Sequence, residues 1–197
     1  MSRFARTALC AVVIASACSL GACAALGITP AVAQLDAAKL LYLADAGVDF
    51  GATSITTALQ TGVLKGSTAS TVHTDLQTAD TVLLAARQSY AAANTADVVA
   101  KAAQVAAVIG EIQSLAKPET PTSSATAATA PTAASDVETI LLGALVDYAA
   151  DSGLISNAKA VLAAPDLATV QAAIAVQEPT TDADVAACLA AFNAAPS

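Results

Sequence analysis

The chain has 197 residues, of which 56% are hydrophobic but only 3% are aromatic, and 54 are alanine. Acidic residues outnumber basic residues by 16 to 8, which argues against a nucleic-acid-binding protein because neutralising phosphates requires clustered Lys and Arg. Alanine is the best helix former and is depleted in strands, so the composition predicts an all-α protein.

The N-terminus has the pattern of an export signal. Arg3 and Arg6 form a positively charged first region, and an apolar stretch without charge follows from residue 8 to about residue 26. An exported protein is therefore expected. Once the leader is removed, the remaining body is strongly acidic, and an anionic membrane surface would repel it.

Two processing sites compete at the end of this leader, which we assign to residues 1–33. Leu20-Gly-Ala-Cys23 resembles the bacterial lipobox, in which the cysteine becomes the first mature residue and carries a diacylglyceryl group. Cleavage before Cys23 leaves an apolar region of about 13 residues, within the usual length of ~7–15. Cleavage after Ala33, a small-x-small site, requires about 20 apolar residues, a length that would also let an uncleaved leader span a bilayer. We predict lipidation of Cys23, with Ala33 as the alternative cleavage site.

The cysteines are distributed as expected for an exported protein without a disulfide framework. Cys10, Cys18 and Cys23 lie in the leader, which leaves Cys188 alone in the body. Cys188 is expected to be a small buried residue on the last helix, with a reactive thiol or an intermolecular bridge as alternatives.

Cys23 is followed by Ala24 and not by aspartate. By resemblance to enterobacterial sorting, this favours a periplasmic protein anchored in the outer membrane over a soluble periplasmic or secreted one.

Residues 35–116 predict a three-helix antiparallel bundle or coiled-coil-like hairpins, because small and apolar residues recur at spacings of three and four. Gly62–Gly66 is the expected turn after the first helix. Ser67 or Thr68 is the expected cap of the second helix, and Thr95 that of the third. The positions expected to be buried are Leu41, Ala44, Val48, Gly51, Ile55 and Ala58, then Val72, Leu76, Ala79, Leu83, Ala86 and Tyr90, then Val98, Ala102, Val105, Ile109, Ile112 and Ala116.

Residues 117–134, rich in Pro, Thr, Ser and Ala, predict a disordered linker. Residues 135–195 predict a separate C-terminal domain, a small helical hairpin that begins with capping-box spacing at Ser135. Its first helix is expected to end near Asp151, and a short second helix to run from Ser156 to about Ala163. A third is expected from Pro165 to Val176. After a break at Pro179, a last helix is expected to reach about Asn193. No segment after the leader is expected to span a membrane, since Lys101, Gln104 and Glu111 interrupt the most apolar one.

The body contains no recognisable catalytic set, nucleotide-binding loop or CxxC or HExxH motif. His73 is expected at an exposed or boundary position. Asp45 and Asp49 share a helix face at i,i+4, as do Asp147 and Asp151, and such pairs can bind a divalent cation or act as acid and base. Because no His or Glu cluster joins them, we predict a solvated acidic face. The three tyrosines are expected to be packing residues: Tyr42, Tyr90 and Tyr148.

One family resemblance covers residues 35–116. Residues 37–52 read AxxLLYxADAxVDFGA, residues 62–69 read GVLKGSTA, and a spaced apolar pattern reaches Arg87. With the leader, this pattern resembles small uncharacterised exported proteins, Ala-rich and helical, of alphaproteobacteria and their phages or prophages, sometimes encoded beside lysis genes. The resemblance implies no active site.

These patterns predict a non-enzymatic, exported cell-envelope protein, a lipoprotein that acts as a helical spacer or interaction module. A phage or prophage lysis accessory lipoprotein is one alternative. A soluble periplasmic helical domain that binds a ligand or metal through the Asp pairs is another. We expect no cofactor, no metal and no nucleic-acid partner. We expect the protein to contact a membrane through the lipid or the leader, and either to bind a protein partner or to self-associate.

Overall fold

A computed structural model describes residues 29–116, 134–148 and 152–194. Residues 1–28 of the leader, with Cys23, and residues 117–133 of the linker lie outside these ranges, whereas Ala33, the alternative cleavage site, lies in the first turn of the first helix. The described residues form α-helices and no strand, which confirms the predicted all-α bundle. The helices are α1 (Pro30–Gln60), α2 (Gly66–Ala91), α3 (Thr95–Ala116), α4 (Ala134–Tyr148), α5 (Ser152–Ala163) and α6 (Leu167–Ala194).

Helix α1 lies at the centre of the bundle and contacts each of the other described helices. Its 31 residues make it about 46 Å long. The sequence predicts one buried face, but between Ala37 and Val48 nearly every side chain is buried. The second face is buried because α4, α5 and α6 pack on it.

Helices α2 and α3 bury the faces that their residue spacing predicts. The side chains that we call the apolar interface are Val72, Leu76, Ala79, Leu83 and Ala86 of α2 and Val98, Ala102, Val105, Ile109 and Ile112 of α3. They pack on α1 and on each other. Small residues allow a close approach, since a Cβ added at Gly51 of α1 would lie 3.2 Å from Cδ1 of Ile109.

The turn after α1 is where the sequence predicts it. The N–H of Gly62 donates to the carbonyl of Leu59 at 3.1 Å, and the N–H of Val63 donates to that of Ala58 at 2.9 Å. These bonds form a Schellman motif, which needs a left-handed residue at its centre. Gly62 supplies it with φ of 68°.

The turn after α2 has the same hydrogen bonds but a different central residue. The N–H of Ala93 donates to Tyr90 and the N–H of Asn94 donates to Ser89, both at 2.9 Å. Ala93 therefore adopts φ of 56°, a conformation that strains a residue with a Cβ.

Two helix caps differ from the predictions. Ser67 and Thr68 lie inside α2, whose N-cap Lys65 makes no side-chain cap hydrogen bond. For α3 the cap lies one residue earlier than predicted, because Oδ1 of Asn94 accepts the N–H of Asp97 at 3.3 Å. Asp97 is in the first turn of α3, as expected.

The prediction of a separate C-terminal domain is not matched by the packing. Helices α4 and α6 contact α1 extensively, and the buried side chains of all six helices form one hydrophobic core. Helix α5 begins at Ser152, earlier than the predicted Ser156. The three-helix unit alone would leave the second face of α1 exposed, and burying that face favours one joint core.

Helix α6 continues through Pro179, where the sequence predicts a break. It also begins later than predicted, with Asp166 as its cap and not with Pro165 in the first turn. Pro179 has no N–H to donate to the carbonyl of Ala175. The helix nevertheless continues because residues on both sides of the proline are buried in the core: Val170, Ile174, Thr181, Val185 and Cys188.

The direction of α6 follows from its contacts with α2. The His73 ring, early in α2, lies 4.8 Å from the Phe192 ring, late in α6. Tyr90, at the end of α2, accepts a hydrogen bond from Gln171, early in α6, at 3.1 Å. Helices α2 and α6 are therefore antiparallel. Because a short turn makes α1 antiparallel to α2, α6 runs parallel to α1.

Within the described ranges, α3 is the helix that is long and apolar enough to cross a membrane by length and composition, over Thr95–Leu115. The interruptions at Lys101, Gln104 and Glu111 therefore do not exclude this stretch by composition. That no segment after the leader spans a membrane stays a prediction. In the bundle α3 packs against α1 and α2, and Lys101 pairs with Asp97 at 3.6 Å.

Candidate functional site

Charged side chains meet where α1, α2 and α6 pack together. The guanidinium of Arg87 on α2 contacts Asp45 of α1 through Nη2 and Asp182 of α6 through Nη1, the latter at 2.7 Å. Its Nε lies 3.6 Å from Oε1 of Glu178. We call these residues and their neighbours the polar interface: Asp45, Asp49, Arg87, Gln177, Glu178, Thr181, Asp182 and Asp184.

Asp45 is fully buried, so the predicted solvated acidic face is wrong for this residue. It lies on the side of α1 that α6 covers, and the hydroxyl of Thr181 donates to its backbone carbonyl at 3.3 Å. Its Oδ1 is bonded to Arg87. Its Oδ2 and Nε of Arg87 are buried without a hydrogen-bond partner. The ion pair is therefore shielded from water but incompletely satisfied.

Burial raises the pKa of Asp45 to about 6, although the hydrogen bond and charge of Arg87 act to lower it. Glu178 and Asp182 raise it further by charge repulsion. Burial disfavours the charged form of Arg87, but its hydrogen bonds to Asp45 and Asp182 outweigh that effect and raise its pKa. At pH 7 the two side chains therefore form an ion pair, and Asp45 takes up a proton in mild acid.

Asp49 lies one turn further along α1 and is half-buried. Its Oδ2 accepts a hydrogen bond from Nε2 of Gln177 at 2.8 Å. Burial raises its pKa to about 6, and a hydrogen bond with Asp184 raises it too, while Gln177 lowers it. Asp49 therefore takes up a proton in mild acid, as Asp45 does.

The other predicted site residues lie apart from this cluster. His73 is half-buried, as predicted, and lies about 21 Å before Arg87 along α2. Cys188 is buried, as predicted, and burial raises the pKa of its thiol. Thr56 lowers the pKa of the thiol through a hydrogen bond.

Two of the three tyrosines can be placed. Tyr42 is buried and Tyr90 is half-buried, which confirms both as packing residues. Burial raises the pKa of Tyr42, and the charge of Asp49 raises it further. The side chains of Asp147 and Tyr148, and Asp151 as a whole, lie outside what the structure describes.

In the part of the chain that the structure describes, no group of three or more His, Cys, Asp or Glu side chains is placed to hold a metal ion. Between Asp45 and Asp182 the guanidinium of Arg87 occupies the position that a bound cation would take. This arrangement is not predicted by the spacing of the charged residues in the sequence. One sequence feature could have indicated a buried charge: Asp45 is charged, whereas the rest of residues 40–48 is apolar.

The chemistry of the polar interface is that of ion pairing and proton uptake. Arg87 joins three helices by charge, and the carboxyl groups around it outnumber it. The arrangement can hold α6 against α1 and α2, and it can bind protons in mild acid. Comparison with protein-family models, with curated proteins and with solved structures finds no match for this chain.

Proposed function

We propose that this protein is a non-enzymatic, exported component of the cell envelope that acts as a helical spacer or interaction module. The observation that supports this function is that the buried charges of Arg87 and Asp45 bind each other across two helices, and that Arg87 also binds the exposed Asp182 of a third. An enzyme site directs such groups toward a substrate. Here Arg87 and Asp45 are directed at each other, and their contacts hold the bundle together.

The dimensions of the bundle suit a spacer. Helices α1, α2 and α6 have 31, 26 and 28 residues, which correspond to lengths of about 46, 39 and 42 Å. They run side by side, parallel or antiparallel. A rod of this kind holds its two ends a fixed distance apart and offers long helix faces to a partner.

Attachment to a membrane would place one end of this rod close to the lipid surface. Five residues separate Cys23 from Thr29, the N-cap of α1, so the chain between them can extend about 20 Å at most. The first buried residue of the described chain is Ala37. Cleavage before Cys23 or after Ala33 would therefore leave every described core side chain in the mature protein.

Metabolic labelling with a clickable fatty acid tests the anchor. We expect the wild-type chain to be labelled and the Cys23→Ser variant to lose the label, because the thiol is the acceptor of the diacylglyceryl group. Cys18→Ser is the matched control, since it changes a leader cysteine that lies before the cleavage site. Labelling that persists in Cys23→Ser would exclude the lipoprotein assignment.

Intact mass spectrometry of the processed chain separates the two mature forms. A lipoprotein begins at Cys23 and carries the mass of the lipid. A soluble periplasmic or secreted form begins at Gln34 and carries none. The second result would retain export but replace the anchored spacer by a soluble interaction module.

A further inference from the structure

We draw no further inference here: the strongest candidate, the solvent-facing side of α3, where Ala96, Ala100, Ala107 and Gly110 are exposed on a helix apolar enough by composition to cross a membrane, is an unpartnered face of small residues, and nothing in the part of the chain that the structure describes shows what covers it.

Discussion

Helix α1 packs against α2 and α3 through the apolar interface and against α6 partly through the polar interface. In the apolar interface each side chain contributes through the area it buries, and the loss of one leaves a cavity. In the polar interface the contributions are paired, so the loss of Arg87 leaves Asp45 as a buried, uncompensated charge. In the apolar interface the effect of a change therefore depends on the area removed, whereas in the polar interface it depends on which partner is removed and on pH.

The largest effect is expected from removing the guanidinium at the centre of the polar interface. Arg87→Ala should lower the free energy of unfolding by about 4 kcal/mol, because the charge of Asp45 stays buried without a partner. Urea denaturation at pH 7 measures it. The double variant Asp45→Asn/Arg87→Met should recover at least half of the loss. A double variant as unstable as Arg87→Ala would show that packing, and not the charge, causes the effect.

Shortening a side chain in the apolar interface should lower the free energy of unfolding somewhat less than Arg87→Ala does. Leu83→Ala removes a fully buried side chain of α2, and we expect a loss of about 3 kcal/mol in the same denaturation measurement. Its neighbour Leu84 is exposed and provides the control, since Leu84→Ala should change stability by less than about 1 kcal/mol. Similar losses for both variants would contradict the assigned helix face.

The pH dependence should distinguish the two interfaces. Asp45 and Asp49 have pKa values raised from 3.8 to about 6 by burial, so the folded chain binds more protons than the unfolded chain between these values. Stability is therefore highest near the lower value and decreases as the pH rises through 6. From pH 5 to pH 7 we expect a loss of about 2 kcal/mol for the two groups together.

Urea denaturation at the two pH values measures this loss, and Leu83→Ala should show the same difference as the wild type. The comparison stops at pH 5 because hydrogen bonds from Thr169 lower the pKa of Asp166, whose contribution is lost in stronger acid. Stability that increases from pH 5 to pH 7 would contradict the assignment of Asp45 and Asp49.

The smallest expected effect lies in the turn between α2 and α3, outside both interfaces. Ala93→Gly should raise the free energy of unfolding by about 0.5 kcal/mol, because glycine adopts φ of 56° without strain. The reverse change, Gly62→Ala in the equivalent turn, should lower it by about 1 kcal/mol. Thermal denaturation detects both shifts. An Ala93→Gly variant that is less stable than the wild type would show that the entropy which glycine adds to the unfolded chain outweighs the strain relieved at this position.

The apolar interface could be predicted from the sequence because the buried residues of each helix recur at the helical period within that helix. Val72, Leu76, Ala79, Leu83 and Ala86 follow the helical period, and all are buried. The turn at Gly62 was predictable for the same local reason, since glycine is the residue that a left-handed turn favours.

The polar interface could not be predicted because its residues lie far apart in the chain. Asp45 and Asp182 meet only through Arg87, and no local pattern of charges indicates that contact. Pro179 was misjudged for a related reason. A proline is a local signal for a helix break, but burial of residues on both sides of it against α1 outweighs the lost hydrogen bond.

The sequence by itself therefore determined the helical class, the buried faces of α2 and α3, and the turn between the first two helices, because these depend on residues a few positions apart. Only the tertiary structure decided that α1 is buried on both faces, that α6 is continuous and parallel to it, and that Asp45 is a buried charge. Each of these depends on which distant surfaces meet, and burial changes the energy of a charge far more than its sequence neighbours do.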